Sequence, residues 1–374
     1  MIYLDHAATT PLRPEAREAW LRAAAVVGNP ASAHAAGRAA RKIVEDVREQ
    51  VAALLDAEPR GVVFTSGATE ANNLAIFGLA GDPPGHVLAS PIEHPCVVEP
   101  LAQLRQRGFS IDPLPLTAAA TVDSAMVAAA IRPETRLVTV QLVNHEIGVV
   151  QPVREIVSAA GSIPVHTDAA QAVGKIPVRF RSLGAAAMTV SAHKFGGPMG
   201  IGALTHRPGV AIRPLHFGGH QQWGLRPGTE SAALAAAMAA ALVAAVADLD
   251  ADARRAAALR DSFLARLQPA APFIVSPPDA VPHIINVAFP GCPADRLLIA
   301  LDLAGVACST GSACSSGSLL PSPVVGALGV SESVLRSAMR FSLSSSTTEA
   351  DVERAAAIIV SAVNQLRGSP GDPN

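Results

Sequence analysis

The chain predicts an α/β fold, a mainly parallel sheet covered by helices, with a smaller α+β region at its C-terminal end. Three observations point there. Short apolar runs such as Gly85-His86-Val87-Leu88-Ala89, Arg136-Leu137-Val138-Thr139-Val140 and Ile163-Pro164-Val165-His166 alternate with helix-like segments, the pattern of strands joined by helical crossovers. Alanine-rich stretches with interspersed charges, at 21–27, 35–55 and 253–267, supply helix propensity and allow close packing on a sheet. After the apolar stretch 232–247 the composition changes at Gln268-Pro269-Ala270-Ala271-Pro272 and Ser276-Pro277-Pro278, and strands are expected near 283–289 and 339–343. The expected organisation is an N-terminal segment, 1–15, packing near the small domain, then a large domain, 16–255. A small C-terminal domain, 256–367, and a tail, 368–374, complete it.

At 374 residues the chain is long enough for two domains with substantial cores. A formal charge of −2 and a pI near 6.6 argue against nucleic acid or an anionic membrane as the principal ligand. Met1 leads directly into the strand-like Ile2-Tyr3-Leu4 with no basic leader, so the cytoplasm is the expected location. The stretch 232–247 is shorter than the about 20 residues a membrane span needs and reads as a buried helix. Four cysteines, Cys96, Cys292, Cys308 and Cys314, are too few for a disulfide scaffold and fit reduced thiols.

The chemistry is concentrated in four segments. Lys194 stands in Ser191-Ala192-His193-Lys194-Phe195-Gly196-Gly197 after the strand-like Ala187-Met188-Thr189-Val190, and Asp168 stands in His166-Thr167-Asp168-Ala169-Ala170-Gln171 after a similar run. Two strand ends then present a lysine and a carboxylate to one ligand. That pairing reads as a pyridoxal phosphate site, because a Schiff-base lysine is served by a carboxylate that keeps the pyridine nitrogen protonated. The third segment, Phe64-Thr65-Ser66-Gly67-Ala68-Thr69-Glu70, is a small-residue turn that opens a helix, and free backbone N–H groups there suit a phosphate. It matches neither GxGxxG nor GxxxxGK[ST], so dinucleotide and nucleotide readings lose their best support. The fourth, Ala307-Cys308-Ser309-Thr310-Gly311-Ser312-Ala313-Cys314-Ser315-Ser316-Gly317-Ser318, is too rich in Ser and Gly for a strand or a stable helix and reads as a mobile loop carrying a thiol. Its cysteine spacing, without a second pair, is a poor zinc signature. Cys308, beside Val306-Ala307, reads as the buried cysteine, and Cys314 as the nucleophile.

With these motifs the chain resembles the cysteine desulfurases of the NifS/IscS type, within the class V aminotransferase-like group of pyridoxal phosphate enzymes. The resemblance runs from Tyr3-Leu4-Asp5-His6 to Arg340-Phe341-Ser342-Leu343 and takes in Gly28-Asn29-Pro30, Glu93-His94, Glu146-Ile147-Gly148 and Arg226-Pro227-Gly228-Thr229. It implies the pyridoxal phosphate-dependent transferase (aspartate aminotransferase-like) fold. Lys194 resembles the Schiff-base lysine, Asp168 the pyridine partner, Gln171 the donor to the cofactor's phenolic oxygen and His94 the ring-stacking proton carrier. Ala68, Thr69, Ser191 and His193 match the phosphate cradle, and Thr229 a residue that reaches the neighbouring subunit's phosphate, which implies a homodimer. Arg340 resembles the grip on the substrate carboxylate, suited to a bidentate fork.

Three departures stand out. Asn144-His145-Glu146 replaces the usual Asn-Asn-Glu, which aligns His145 with the cofactor-contacting asparagine and leaves open whether His145 or Asn144 makes that contact, Asn144 being assigned to the substrate. His220 and Trp223 stand where smaller or charged residues are usual, and Ser344-Ser345-Ser346 replaces a Gly-Arg pair. The implied activity converts L-cysteine to alanine and leaves a persulfide on Cys314 for an acceptor in iron–sulfur cluster assembly or tRNA thiolation. The rivals are another class V reaction, transamination or selenocysteine lysis, and a silent sulfur carrier that kept the fold.

Overall fold

The computed structural model describes residues 1–311 and 321–368. Its first strand, β1 (Ile2–Tyr3), precedes seven that form one sheet: β2 (Val62–Thr65), β3 (His86–Ala89), β4 (Ser110–Pro113), β5 (Thr135–Thr139), β6 (Val165–Asp168), β7 (Ala187–Ser191) and β8 (Gly202–His206). Their order is β2-β8-β7-β6-β5-β3-β4, with β8 antiparallel to both neighbours and the other pairs parallel. The inner strands β3, β6 and β7 are buried at every residue, as a sheet covered on both faces requires. The edge strand β4 is partly exposed and ends on Pro113, a residue that an edge tolerates because it has no N–H to donate. Neither β4 nor β8 is marked by the apolar alternation in the sequence.

A second sheet is formed by β9 (Phe273–Ile274), β10 (Ile284–Ala288) and, after the two-residue β11 (Val306–Ala307), β12 (Ala338–Ser342). Its order is β12-β10-β9, antiparallel throughout. β1 pairs in parallel with β11, so the N-terminal residues join this part of the molecule. Ile2 and Leu4 share a core with Phe263, Val287, Phe289, Phe341 and Ile359.

The helices largely follow the alanine-rich stretches. Ala35–Leu55 and Ala232–Ala247 lie where the sequence places them. The first helix differs, running Pro14–Ala24 rather than over 21–27; Pro14 fits a first turn, where its missing N–H has no partner to lose. Among the described residues no single helix is long and apolar enough to cross a membrane. Ala232–Ala247 qualifies only when joined to Leu249–Ala270 across a 67° bend. Its buried alanines, from Ala235 to Ala245, pack into the main core instead.

Candidate active site

The site gathers at the C-terminal ends of the parallel strands, where open α/β sheets place their ligands. β6 ends on Asp168 and its neighbour β7 on Ser191, with Asp168 opposite Thr189. A single 3-10 turn, Ala192–Lys194, then carries Lys194 beyond the sheet. Lys194 Nζ donates to the carbonyls of Ala7 and Ala8 at 2.5 and 2.8 Å, so the N-terminal segment lies across the lysine.

Asp168 is buried and its two oxygens are held separately. Oδ1 accepts the backbone N–H of Ala170 at 2.9 Å, and Oδ2 accepts the side-chain amide of Asn72 at 2.7 Å. The Cys96 thiol stands 3.8 Å from the same Oδ2 and 2.9 Å from Nδ1 of His94. His94 caps the helix Pro95–Gln106, its Nδ1 accepting the backbone N–H of Cys96 at 3.1 Å. Burial holds His94 below the ordinary histidine range; the Asp168 charge opposes this, and the charges of Lys194 and Arg340 reinforce it. Three charged groups predicted from the sequence therefore bear on one predicted imidazole.

The His94 ring meets His145 edge to face, with centroids 4.8 Å apart. His145 is buried and pushed well below the ordinary range, first by burial and then by His94, Arg340 and Lys194. The neighbouring Asn144 uses its carboxamide within the chain, donating to Ile92 O at 3.0 Å and accepting the N–H groups of Glu146 and Ile147. Gln171 is likewise engaged. Its Nε2 donates to Ala7 O at 2.8 Å, and its Oε1 accepts from Lys175 Nζ at 3.0 Å. Burial, with Lys194 and Arg340 adding to it, lowers Lys175 to about 7.

Arg340, buried on β12, donates from Nη1 to His145 O at 3.0 Å and from Nη2 to Asp5 Oδ1 at 2.7 Å. Its Nε is buried without a hydrogen-bond partner. The same is true of Ser191 Oγ. The helix Ala68–Ala80 starts at Gly67 without a side-chain cap, so its first-turn N–H groups, including those of Ala68 and Thr69, are available. Ser191 pairs with Gly202, and a Cβ on Gly202 would stand 2.9 Å from Gly67 Cα; the missing side chain lets the helix start approach the end of β7. His193 Nδ1 lies 3.1 Å from Thr9 Oγ1. Thr229 is exposed and borders a cavity of about 230 Å³ with Ser66, Gln222 and Arg226.

Cys314 lies outside the described residues. Cys308 is half-buried against the second core, and burial, with the Asp5 charge adding to it, pushes its thiol up to about 12. Three further residues join the site without having been assigned a role from the sequence: Asn72, Cys96 and Glu146. Asn72 carries a readable signal, a polar residue on a helix face otherwise made of Ala71, Leu74, Ala75 and Ile76.

The aminotransferase class-V family model matches residues 2–355. "Cysteine desulfurase IscS" of Dictyoglomus turgidum is 38% identical over 98% of this chain and 95% of its own length. Among solved structures, a "NifS-like protein" superposes with a TM-score of 0.92 at 31% identity, covering 97% of this chain and 99% of that one. "SspA in complex with cysteine" superposes with a TM-score of 0.81 at 33% identity, covering 92% and 99%. The expected fold class is thus the one observed. With the family model spanning most of its length and a relative this similar over nearly all of it, the chain belongs to the aminotransferase class-V family, in its cysteine desulfurase branch.

Proposed function

We propose that this enzyme takes sulfur from L-cysteine, releasing alanine and leaving a persulfide on Cys314, with pyridoxal phosphate as its cofactor. The observation that carries the reading is that the paired strands β6 and β7 bring Asp168 and Lys194 to one end of the sheet, beside the half-buried ring of His94, whose Nδ1 lies 2.9 Å from the Cys96 thiol that approaches Asp168. The residues present fit the cofactor: unpartnered Ser191 Oγ and the uncapped start of Ala68–Ala80 offer donors to a phosphate. Asp168 faces the role of pyridine partner, and the His94 ring that of stacking partner. Of the two residues at the Asn-Asn-Glu position, His145 is the better candidate for a ring contact, because the Asn144 amide is spent on the turn 144–147. Pyridoxal phosphate, when bound, supplies an electron sink for the substrate carbon that bears the amine.

The remaining work falls to side chains. Arg340 Nε is the open donor for the substrate carboxylate. Lys194 amine moves the proton on the substrate α-carbon, and His94 serves as proton carrier. The Cys314 thiolate attacks the substrate sulfur; an S–S bond forms, the substrate C–S bond breaks, and its electron pair is protonated to complete alanine. No external oxidant or reductant is needed, since one C–S bond and one thiol become one C–H bond and one persulfide.

We assign the enzyme to the cytoplasm and to a homodimer in which Thr229 completes the partner's phosphate site. A fully active monomer in sedimentation would remove that assignment. The sulfur acceptor is an iron–sulfur scaffold or a tRNA-thiolation protein. The reaction itself is tested by adding L-cysteine to purified protein loaded with pyridoxal phosphate. Alanine and sulfur in equal amounts support the reading; a keto acid in place of alanine, or turnover retained in Lys194→Ala, overturns it.

A further inference from the structure

Glu146 belongs to none of the roles above, yet it is one of the most enclosed carboxylates in the molecule, 2% exposed. Its Oε2 accepts the hydroxyl of Ser322 at 2.6 Å. The same oxygen lies so close to Gly311 that a Cβ there would stand 2.3 Å from it. Gly311 also has φ +87°, a backbone region that side chains disfavour. The chain therefore enters and leaves the segment holding Cys314 at two residues that both touch one carboxylate oxygen.

Each root is tied in turn to the rest of the site. On the N-terminal side, Gly311 N donates to Ser309 Oγ at 3.1 Å, and Ser309 exchanges backbone hydrogen bonds with Arg340 at 3.1 and 2.6 Å. On the C-terminal side, Ser322 Oγ accepts the N–H of Val325, and Val324 and Val325 share a core with Ile147 and Val149. The other oxygen of Glu146 lies 3.6 Å from Nε2 of His145. From Gly311 to Cys314 is three residues, a reach of about 11 Å at most, so a displaced Gly311 displaces the origin from which the thiol is delivered.

We propose that Glu146 is a positioning residue for sulfur transfer, holding Ser322 by a hydrogen bond and packing against Gly311 beside the site formed by Arg340 and His145. The proposal rests on the reading of Cys314 as persulfide acceptor, and it acts on delivery of the thiol rather than on binding of cofactor or substrate.

The test compares two readouts on the holoenzyme mixed with L-cysteine: the change in cofactor absorption, which reports substrate binding, and mass-spectrometric sulfur on Cys314 in a single turnover. In Glu146→Ala the absorption change keeps its dependence on cysteine concentration while persulfide formation slows by about tenfold or more, as loss of a near-attack arrangement predicts. Glu146→Gln, which still accepts from Ser322, recovers most of the rate. Should Glu146→Ala not fold, Ser322→Ala, which lacks the hydroxyl donor, decides by the same split. Persulfide formation at the wild-type rate in whichever variant decides overturns the proposal, as does equal loss of both readouts. If wild-type protein itself places no sulfur on Cys314, it is the functional reading that fails first, a result distinct from either.

Discussion

The side-chain amide of Asn72 donates to Oδ2 of Asp168 at 2.7 Å, joining the helix Ala68–Ala80 to the end of β6. One helix thus carries an uncapped N-terminus, proposed above for the phosphate, and, one turn further along, holds the Asp168 carboxylate. The distance between these two sites is set by the helix itself, at 1.5 Å of rise per residue.

Asn72→Ala removes this donor and leaves a buried carboxylate oxygen short of a partner. The expected cost is about 1–3 kcal/mol of stability, measured by calorimetric unfolding, together with weaker retention of pyridoxal phosphate on dialysis. Unchanged unfolding and full retention would show that the bond does not orient Asp168.

Arg340 divides its guanidinium between Asp5, the His145 carbonyl and an open Nε. Arg340→Gln is expected to raise KM for L-cysteine about tenfold or more, since a hydrogen bond to a charged group contributes about 1.5–3 kcal/mol. Asp5→Asn, which removes the charge opposite Nη2 but not the guanidinium, separates the two roles. An equal rise in KM in Asp5→Asn would place the effect in that ion pair rather than in a grip on substrate.

Burial limits what Cys308 can do. Cys308, with its thiol pushed up to about 12, stays protonated at neutral pH and is a poor nucleophile. Cys308→Ser is therefore expected to keep at least about half the wild-type rate, whereas Cys314→Ser keeps the cofactor band and releases almost no sulfide or alanine. Sulfur found on the Cys308 peptide after addition of L-cysteine would reverse the assignment.

Glu93 supplies a pH test. Its carboxyl is buried, accepts the Gln141 N–H at Oε1, leaves Oε2 without a partner and is pushed up to about 8, chiefly by burial, with the Asp168 charge adding to it. Between the unfolded value of 4.5 and 8 the folded chain holds a proton that the unfolded chain has released. Stability then falls as pH rises through that window, with a slope of up to about 1.4 kcal/mol per pH unit from this one group. Glu93→Gln abolishes that contribution, so its advantage over wild type in denaturant unfolding should grow from pH 5 to pH 8. An advantage that does not change with pH would mean that Glu93 ionises normally.

Much of the site is legible before folding is considered, because its parts are carried by neighbours in the chain. His193-Lys194 sits in the single turn that follows β7, Gln171 stands three residues after Asp168, and the small residues at 66–69 open a helix, so each motif reports its own local backbone. The helix Ala35–Leu55 and the strands β3, β5, β10 and β12 are visible for the same reason: periodicity is a local property. The strands β4 and β8 are less visible, one because it is a half-exposed edge ending in proline and the other because it runs against its neighbours without a distinguishing pattern of its own.

Only the tertiary structure decides which side chains meet across the chain. Asn72 meets Asp168, Asp5 meets Arg340, and Glu146 meets both Gly311 and Ser322. None of these pairs lies within one element, so no periodicity encodes them. They exist because strand order and helix packing bring distant segments together, and because a buried polar atom deprived of water must find its partner among whatever the packing places beside it.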